Sequence, residues 1–291
     1  MTKHSIAKLC ALSFLVIPTL SWAGTEATGK EVKTIKEVAK ESFISGDLGV
    51  NFVSEYISRG LVLENQGVIA QPYTDLYFKL YEGTGFINKV SLNLGIWSSV
   101  HSHVQGPVGS TTRNWYEFDY TAGVAVTFAK NFTGTLSYFE FDSPSDAFGA
   151  SRNINFNLAY DDTDLLGKFA LHPHAAVLAE LHSPGVAGLQ SDGWYYEIGI
   201  APSYTPCPAV TFTMPINAGF GDKDFYAGDT FGYVSAGLVA TVPLTFIPAG
   251  YGTWTANAGY TYYYLGDNVA SATASGENSQ HVFQGGVAIA F

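Results

Sequence analysis

From Asp47 to Phe291, apolar side chains alternate with small or polar ones, block after block, and no apolar run of 18 or more residues follows residue 23. A helix needs about 20 apolar residues to cross a bilayer, so the chain beyond that point has no helical span. Yet charged residues are only 13% of the chain, aromatics are 15% and mean hydropathy is +0.11. Soluble domains carry roughly 25% charged residues. Apolar content borne by alternating segments leaves two classes, an apolar soluble β protein or a membrane barrel. A strand in hydrocarbon must pair every backbone group, and the sheet must close so that no edge is left. Such strands show one apolar face and one small or polar face, about ten residues at a time.

That pattern recurs twelve times. It predicts an all-β fold, a transmembrane antiparallel up-and-down barrel of about twelve strands. The first block sets Leu48, Val50, Phe52 and Tyr56 against Asp47, Gly49, Asn51 and Glu55. The second places Gln71, Tyr73, Asp75 and Lys79 on the non-apolar face, and the fourth places Glu117 and Asp119 there. The seventh, read from Lys168, puts His172, His174 and Glu180 on that face, and the eighth puts Glu197 there. Polar connectors such as 102–113, 221–232 and 266–279 follow odd strands, while those after even strands are mostly shorter or less polar. Short turns on one rim and longer loops on the other, with an even strand count, suit an outer-membrane barrel. A secreted sandwich also alternates, but its water-facing side should be rich in Lys, Glu and Arg. Here that side is mostly Gly, Asn, Ser and Thr. Tyr56, Tyr116, Tyr160, Trp194, Tyr196, Trp254 and Tyr264 stand near strand ends, where interfacial girdles form.

The two ends of the chain point the same way. Lys3, His4 and Lys8 precede an apolar stretch, Leu9 to Leu20, and Ser21-Trp22-Ala23 is a small-x-small site. Residues 1–23 therefore read as a secretory signal peptide cut after Ala23, which implies Sec export and the outer membrane of a Gram-negative bacterium. Residues 24–45 are polar and read as a periplasmic tail, with a short plug in the barrel mouth as the alternative; the barrel takes 46–291. Loss of Lys3 and Lys8 moves the formal charge from −11 to −13, which argues against a nucleic-acid partner. Cys207 is the one cysteine left after Cys10 goes with the leader, so neither a disulfide nor a cysteine-based metal site forms. Phe291 closes the chain with Ile289, Val287 and Phe283 on the same face. A terminal aromatic in the lipid-facing register resembles the signal read by the barrel-assembly machinery. That machinery and outer-membrane lipid are the expected partners.

One stretch carries a family resemblance. Val53-Ser54-Glu55-Tyr56-Ile57-Ser58-Arg59-Gly60, then Gln71, then Gly95-Ile96-Trp97-Ser98-Ser99-Val100 resembles the TorF-type porin family of signal-bearing outer-membrane proteins. Glu55 stands where that family usually has Asp, and Val100 where an Asn is usual. The resemblance implies a barrel and a transport role and supplies no substrate.

A twelve-stranded barrel has a backbone radius of about 12 Å, of which side chains fill roughly half. Its expected lining is Glu55, Asp75, Lys79, Glu117, Asp119, His172, His174, Glu180 and Glu197, with Asp47, Lys89 and Lys168. Seven acidic groups against three basic ones predict a channel for passive diffusion of small hydrophilic solutes with a weak cation preference. Inward glycines at 49, 95, 123, 199, 219 and 237 would keep the bore open or relieve strand bending. Arg59 and Glu55 are expected to pair near the outer mouth. His172 and His174, two apart, would lie ~6.6 Å apart on one face, wide for one metal, so neither metal nor cofactor is assigned. A lipase would need a nucleophile, a histidine and a carboxylate together at the lipid boundary, and no G-x-S-x-G element is present. An enzyme is not expected; the alternative is a non-conducting structural or adhesive barrel.

Overall fold

A computed structural model of the chain describes residues 42–103, 114–183, 193–226, 228–272 and 276–291. The expected signal peptide and nearly all of the tail, residues 1–41, lie outside them.

The strands are β1 (Ile44–Val53), β2 (Tyr56–Ser58), β3 (Leu61–Glu64), β4 (Ile69–Glu82), β5 (Ile87–His101), β6 (Trp115–Phe128), β7 (Phe132–Asp142) and β8 (Ser151–Tyr160). After them come β9 (His174–His182), β10 (Trp194–Ile200), β11 (Ser203–Cys207), β12 (Val210–Thr213), β13 (Ile216–Gly221), β14 (Phe231–Pro243), β15 (Thr253–Leu265) and β16 (Ser279–Ala290). Apart from β2 and β3, these build a closed antiparallel barrel of twelve staves. Two staves are broken, β10 with β11 and β12 with β13. The breaks fall at Pro202 and Pro215, which have no N–H to give a ladder. Their carbonyls still accept from Met214 and Gly237 at 2.9 and 2.8 Å, so the ladder runs on past each break.

Closure is made by the two ends of the barrel sequence. β1 pairs with β16 from Asp47↔Ala290 to Val53↔Gln284. Phe291 N donates to Gly46 O at 2.9 Å and Gly46 N to Phe291 O at 3.0 Å, which extends the seam to the last residue. Phe291, Val287 and Phe283 are exposed on the outer face.

The alternation reads out as drawn from the sequence. Leu48, Ile96, Val124, Leu136, Phe156, Ile198 and Leu238 face outward and are exposed, while Gln71, Asn93, Ser137, Asn155, Asn217 and Ser235 are buried inside. A water-soluble sandwich would not leave large apolar side chains bare all round its outer face. Among the described residues no helix is long and apolar enough to cross a membrane; the strands provide the crossing. At the rim holding the termini, Phe86, Phe128, Phe132 and Tyr160 form a continuous line of rings with centroids 5.7, 5.7 and 4.6 Å apart. Trp194, Tyr196 and Tyr264 are exposed toward the far rim.

Two of the expected girdle aromatics are not on the outside. Tyr56 and Tyr116 are buried within the barrel. The chain leaves the wall after Val53, so Tyr56 belongs to a hairpin and not to β1. At Tyr116 a register shift sets Ser99 opposite Glu117 and Val100 opposite Trp115. The extra residue turns Tyr116 inward beside Glu117, as a bulge re-aims side chains.

Candidate functional site

The short strands β2 and β3 form a hairpin that folds into the far mouth of the barrel. Ser58 pairs with Leu61 across the two-residue turn Arg59-Gly60, with φ of 49° and 85°. Positive φ at both central residues gives the type I′ twist that two-residue hairpins favour, and glycine meets it without strain at the second position. Tyr56 and Ile57 are fully buried. The Tyr56 ring packs on Trp97 (5.5 Å) and stands edge-on to Tyr116 (6.2 Å), and its hydroxyl donates to Glu117 Oε2 at 2.6 Å. At the tip, Tyr226 donates to the Arg59 carbonyl at 2.7 Å, and the guanidinium lies 5.1 Å over the Phe141 ring. The residues quoted for the family resemblance therefore converge here: Tyr56, Arg59 and Gly60 from the hairpin, Trp97 from the wall beside them.

Three acidic wall residues look toward that tip. Glu117, Asp119 and Glu197 are each within the electrostatic reach of Arg59 and nearly inaccessible to solvent. Glu197 Oε2 accepts from Tyr195 at 2.8 Å and from Tyr233. Arg59 Nε and Nη2, both Asp119 oxygens and Glu197 Oε1 are buried without a hydrogen-bond partner. A pocket beside the hairpin, lined by Arg59, Glu117, Phe141, Glu180 and Phe225 among others, holds about 70 Å³, room for a few water molecules.

The other expected lining residues spread along the lumen. Asp47 and Asp75 are cross-strand partners, Tyr77 donates to Asp47 at 3.1 Å, and a Cβ on Gly95 would come within 2.5 Å of Asp75 Oδ1. His174 Nε2 is 3.1 Å from Asn217 Oδ1 and 3.9 Å from Glu197 Oε1. Glu180 Oε2 accepts from Gly193 N at 3.2 Å. Lys79 sits near the terminal rim, 2.8 Å from Glu82.

Three placements differ from the sequence reading. Arg59 and Glu55 are not brought together: Glu55 lies near His281, while Arg59 lies over the Phe141 ring and near the three acids. The type I′ turn points Arg59 down the lumen, away from the strand end that carries Glu55. His172 lies before β9, in a connector that also holds the short helix α1 (Thr163–Leu166), with φ of 49°. Its Nδ1 is 3.7 Å from Asp161 and 3.9 Å from Asp162, so it shares no face with His174. Lys168 is exposed in the same connector. The inward glycines serve their neighbours more than the bore. A Cβ at Gly49 would sit 2.9 Å from Tyr73 and one at Gly237 2.7 Å from Thr261, so each glycine makes room for a side chain crossing it.

Ser99, His101 and Glu64 stand in line, with 2.8 Å from Ser99 Oγ to His101 Nε2 and 3.8 Å from His101 Nδ1 to Glu64 Oε2. The order is that of a hydrolase triad, but Ser99 is fully buried and the second spacing is too long for a hydrogen bond.

The fold defines a barrel of the outer-membrane type. No family model and no curated sequence matches the chain. Among solved structures it is similar to the COG4313 outer membrane channel from Pseudomonas putida F1, with a TM-score of 0.50, 10% identity, and coverage of 89% of this chain and 100% of that one. The NanC porin follows at a TM-score of 0.46 and 12% identity over 84% of this chain and 98% of its own. The translocator domain of the autotransporter NalP from Neisseria meningitidis gives 0.44 and 12% over 87% and 90%. At these identities the likeness is one of fold.

Proposed function

We propose that the chain is an outer-membrane channel for small hydrophilic solutes, cation-preferring, whose far mouth is closed by the β2–β3 hairpin. The observation that carries this reading is the hairpin itself, a separate two-stranded unit seated inside the barrel and held by the Tyr56–Glu117 and Tyr226–Arg59 hydrogen bonds. A barrel needed only as a membrane anchor gains nothing from an arginine-tipped plug among buried acids. Arg59 and the acids it faces attract one another but leave buried hydrogen-bonding atoms unmet, which favours water entry beside the seated hairpin. With Arg59 in place of Lys168, the lumen keeps seven acidic groups against Arg59, Lys79 and Lys89. A low-dielectric wall of one sign concentrates counter-ions of the other. The reading includes export by the leader, cleavage after Ala23, assembly through the Phe291 signal and residence in the bacterial outer membrane.

Liposome swelling with a graded solute panel tests it. Uptake should fall with solute size and rise when the hairpin is shortened. Absence of uptake by either form leaves the non-conducting structural barrel as the better reading.

A further inference from the structure

We infer that the row Tyr120, Glu140, Arg152 and His182 on the outer wall binds the phosphate of a lipid headgroup in the external leaflet. The four residues face outward on β6, β7, β8 and β9, and each is the cross-strand partner of the next. They stand side by side at one level, toward the rim opposite the termini. The aromatic line at the terminal rim fixes that level. Phe128, Phe132 and Tyr160 lie eight positions along β6, β7 and β8 from Tyr120, Glu140 and Arg152. Eight residues rise ~27 Å along a strand, or about 21 Å along the barrel axis at a ~40° tilt, close to the ~25 Å apolar band of such barrels. Between the two levels the outward residues of β6 and β8 are Ala122, Val124, Val126, Ile154, Phe156 and Leu158. A charge on the lipid face costs most at the midplane and little at the interface, so the row stands at headgroup height.

The row is built to present a cation. Tyr138 donates to Glu140 Oε2 at 2.8 Å, and Glu140 Oε1 accepts from Arg152 Nε at 3.2 Å. Held by its Nε, Arg152 keeps its two Nη groups for a further acceptor, and its side chain is 52% exposed. The edge of a guanidinium matches two phosphate oxygens at once. His182, also exposed, stands opposite Arg152 and adds an imidazole N–H from the next strand. The nearby acids are already engaged: Glu140 by Arg152 and Tyr138, and Asp142 by Tyr120 at 3.0 Å, on the side of β7 away from Arg152. The wall beneath the row selects an amphiphile over free phosphate. Ile154 and Phe156 follow Arg152 on the same outward face and are exposed, so acyl chains can lie along β8 while the phosphate is held at the row.

The test is titration of the detergent-solubilised full chain with lipid A carrying both of its phosphates, read by native mass spectrometry. The wild type should retain the lipid, and Arg152→Ala with His182→Ala should weaken retention about 10-fold or more. The same lipid stripped of its phosphates should bind the wild type about 10-fold more weakly. Lys168→Ala removes an exposed cation at the terminal rim and should leave retention unchanged. Both substituted residues of the row are exposed, so folding is not at risk, and heat-modifiable migration in gels verifies every variant. The assignment is overturned if the wild type retains no lipid A, if the dephosphorylated lipid binds equally, if retention survives the double substitution, if Lys168→Ala abolishes it, or if inorganic phosphate at equal concentration displaces the lipid.

Discussion

Excising the hairpin should raise conductance about tenfold while leaving the barrel intact. Val53 and Ile69 are already cross-strand partners, so residues 56–66 can be replaced by a short Gly/Asn turn without moving β1 or β4. Barrel closure through β1–β16 and the Phe291–Gly46 seam does not involve the hairpin. The pocket beside the plug holds about 70 Å³, room for a few water molecules, so a leak past the plug one water wide, ~2 Å in radius, is taken for the wild-type mouth. With the plug gone, a backbone radius of about 12 Å less the side chains leaves ~6 Å. Conductance follows cross-section, so the ratio of radii squared gives roughly ten. The cost is the loss of two fully buried side chains, Tyr56 and Ile57, worth about 1.5–3 kcal/mol each. Single-channel recording in planar bilayers reads the effect, with heat-modifiable migration as the folding check. A folded variant whose conductance equals the wild type's would refute the reasoning, because the hairpin would then not lie in the conducting path.

Other expectations follow from single contacts. Tyr56→Phe removes the donor to the buried Glu117 carboxylate, worth about 2 kcal/mol, so the closed-to-open ratio should fall ~30-fold in open-probability measurements. Asp47→Asn with Asp75→Asn removes two like charges that face each other across β1 and β4; the reversal potential in a KCl gradient should move toward zero. Deleting Phe291 should reduce the folded fraction recovered from outer membranes, yet leave refolding in detergent nearly unchanged. At the terminal rim, burial alone would raise the Asp162 carboxyl, but N–H groups of Leu171 and His172 outweigh it and hold it below its usual range. A depressed carboxyl stabilises the fold above its unfolded value of ~3.9 and loses that contribution as pH falls through the lower folded value. Asp162→Asn should therefore melt earlier than wild type at pH 7, and the gap should close in acid below that range.

Strand periodicity was legible because lipid imposes one rule on every stave: outward residues are apolar whatever lies within. Leu136, Phe156 and Ile198 obey it, and their partners Ser137, Asn155 and Glu197 face inward. The period carries no information about where the chain leaves the wall. Tyr56 continues the apolar phase of β1 in sequence and sits in the plug in space. The signal that could have found it is weak: Gly60 between two short β-prone runs suits the second central position of a tight hairpin turn, but Arg59 is not among the residues such turns favour at the first. Bulges are equally silent in sequence, and one of them turned Tyr116 inward. The seventh stave began later than its alternation suggested because a 3-10 turn over Gly167–Phe169 and the positive φ of His172 interrupt it, which separated His172 from His174.

Reversal potential under a salt gradient tests the central claim most directly, recorded on wild type and on the hairpin-excised barrel in KCl. Both should conduct, the excised form more strongly, with the sign that marks K⁺ as the preferred ion. Silence from both barrels, or a potential of the opposite sign, contradicts the account of a wet, acidic lumen closed at one mouth by its own hairpin.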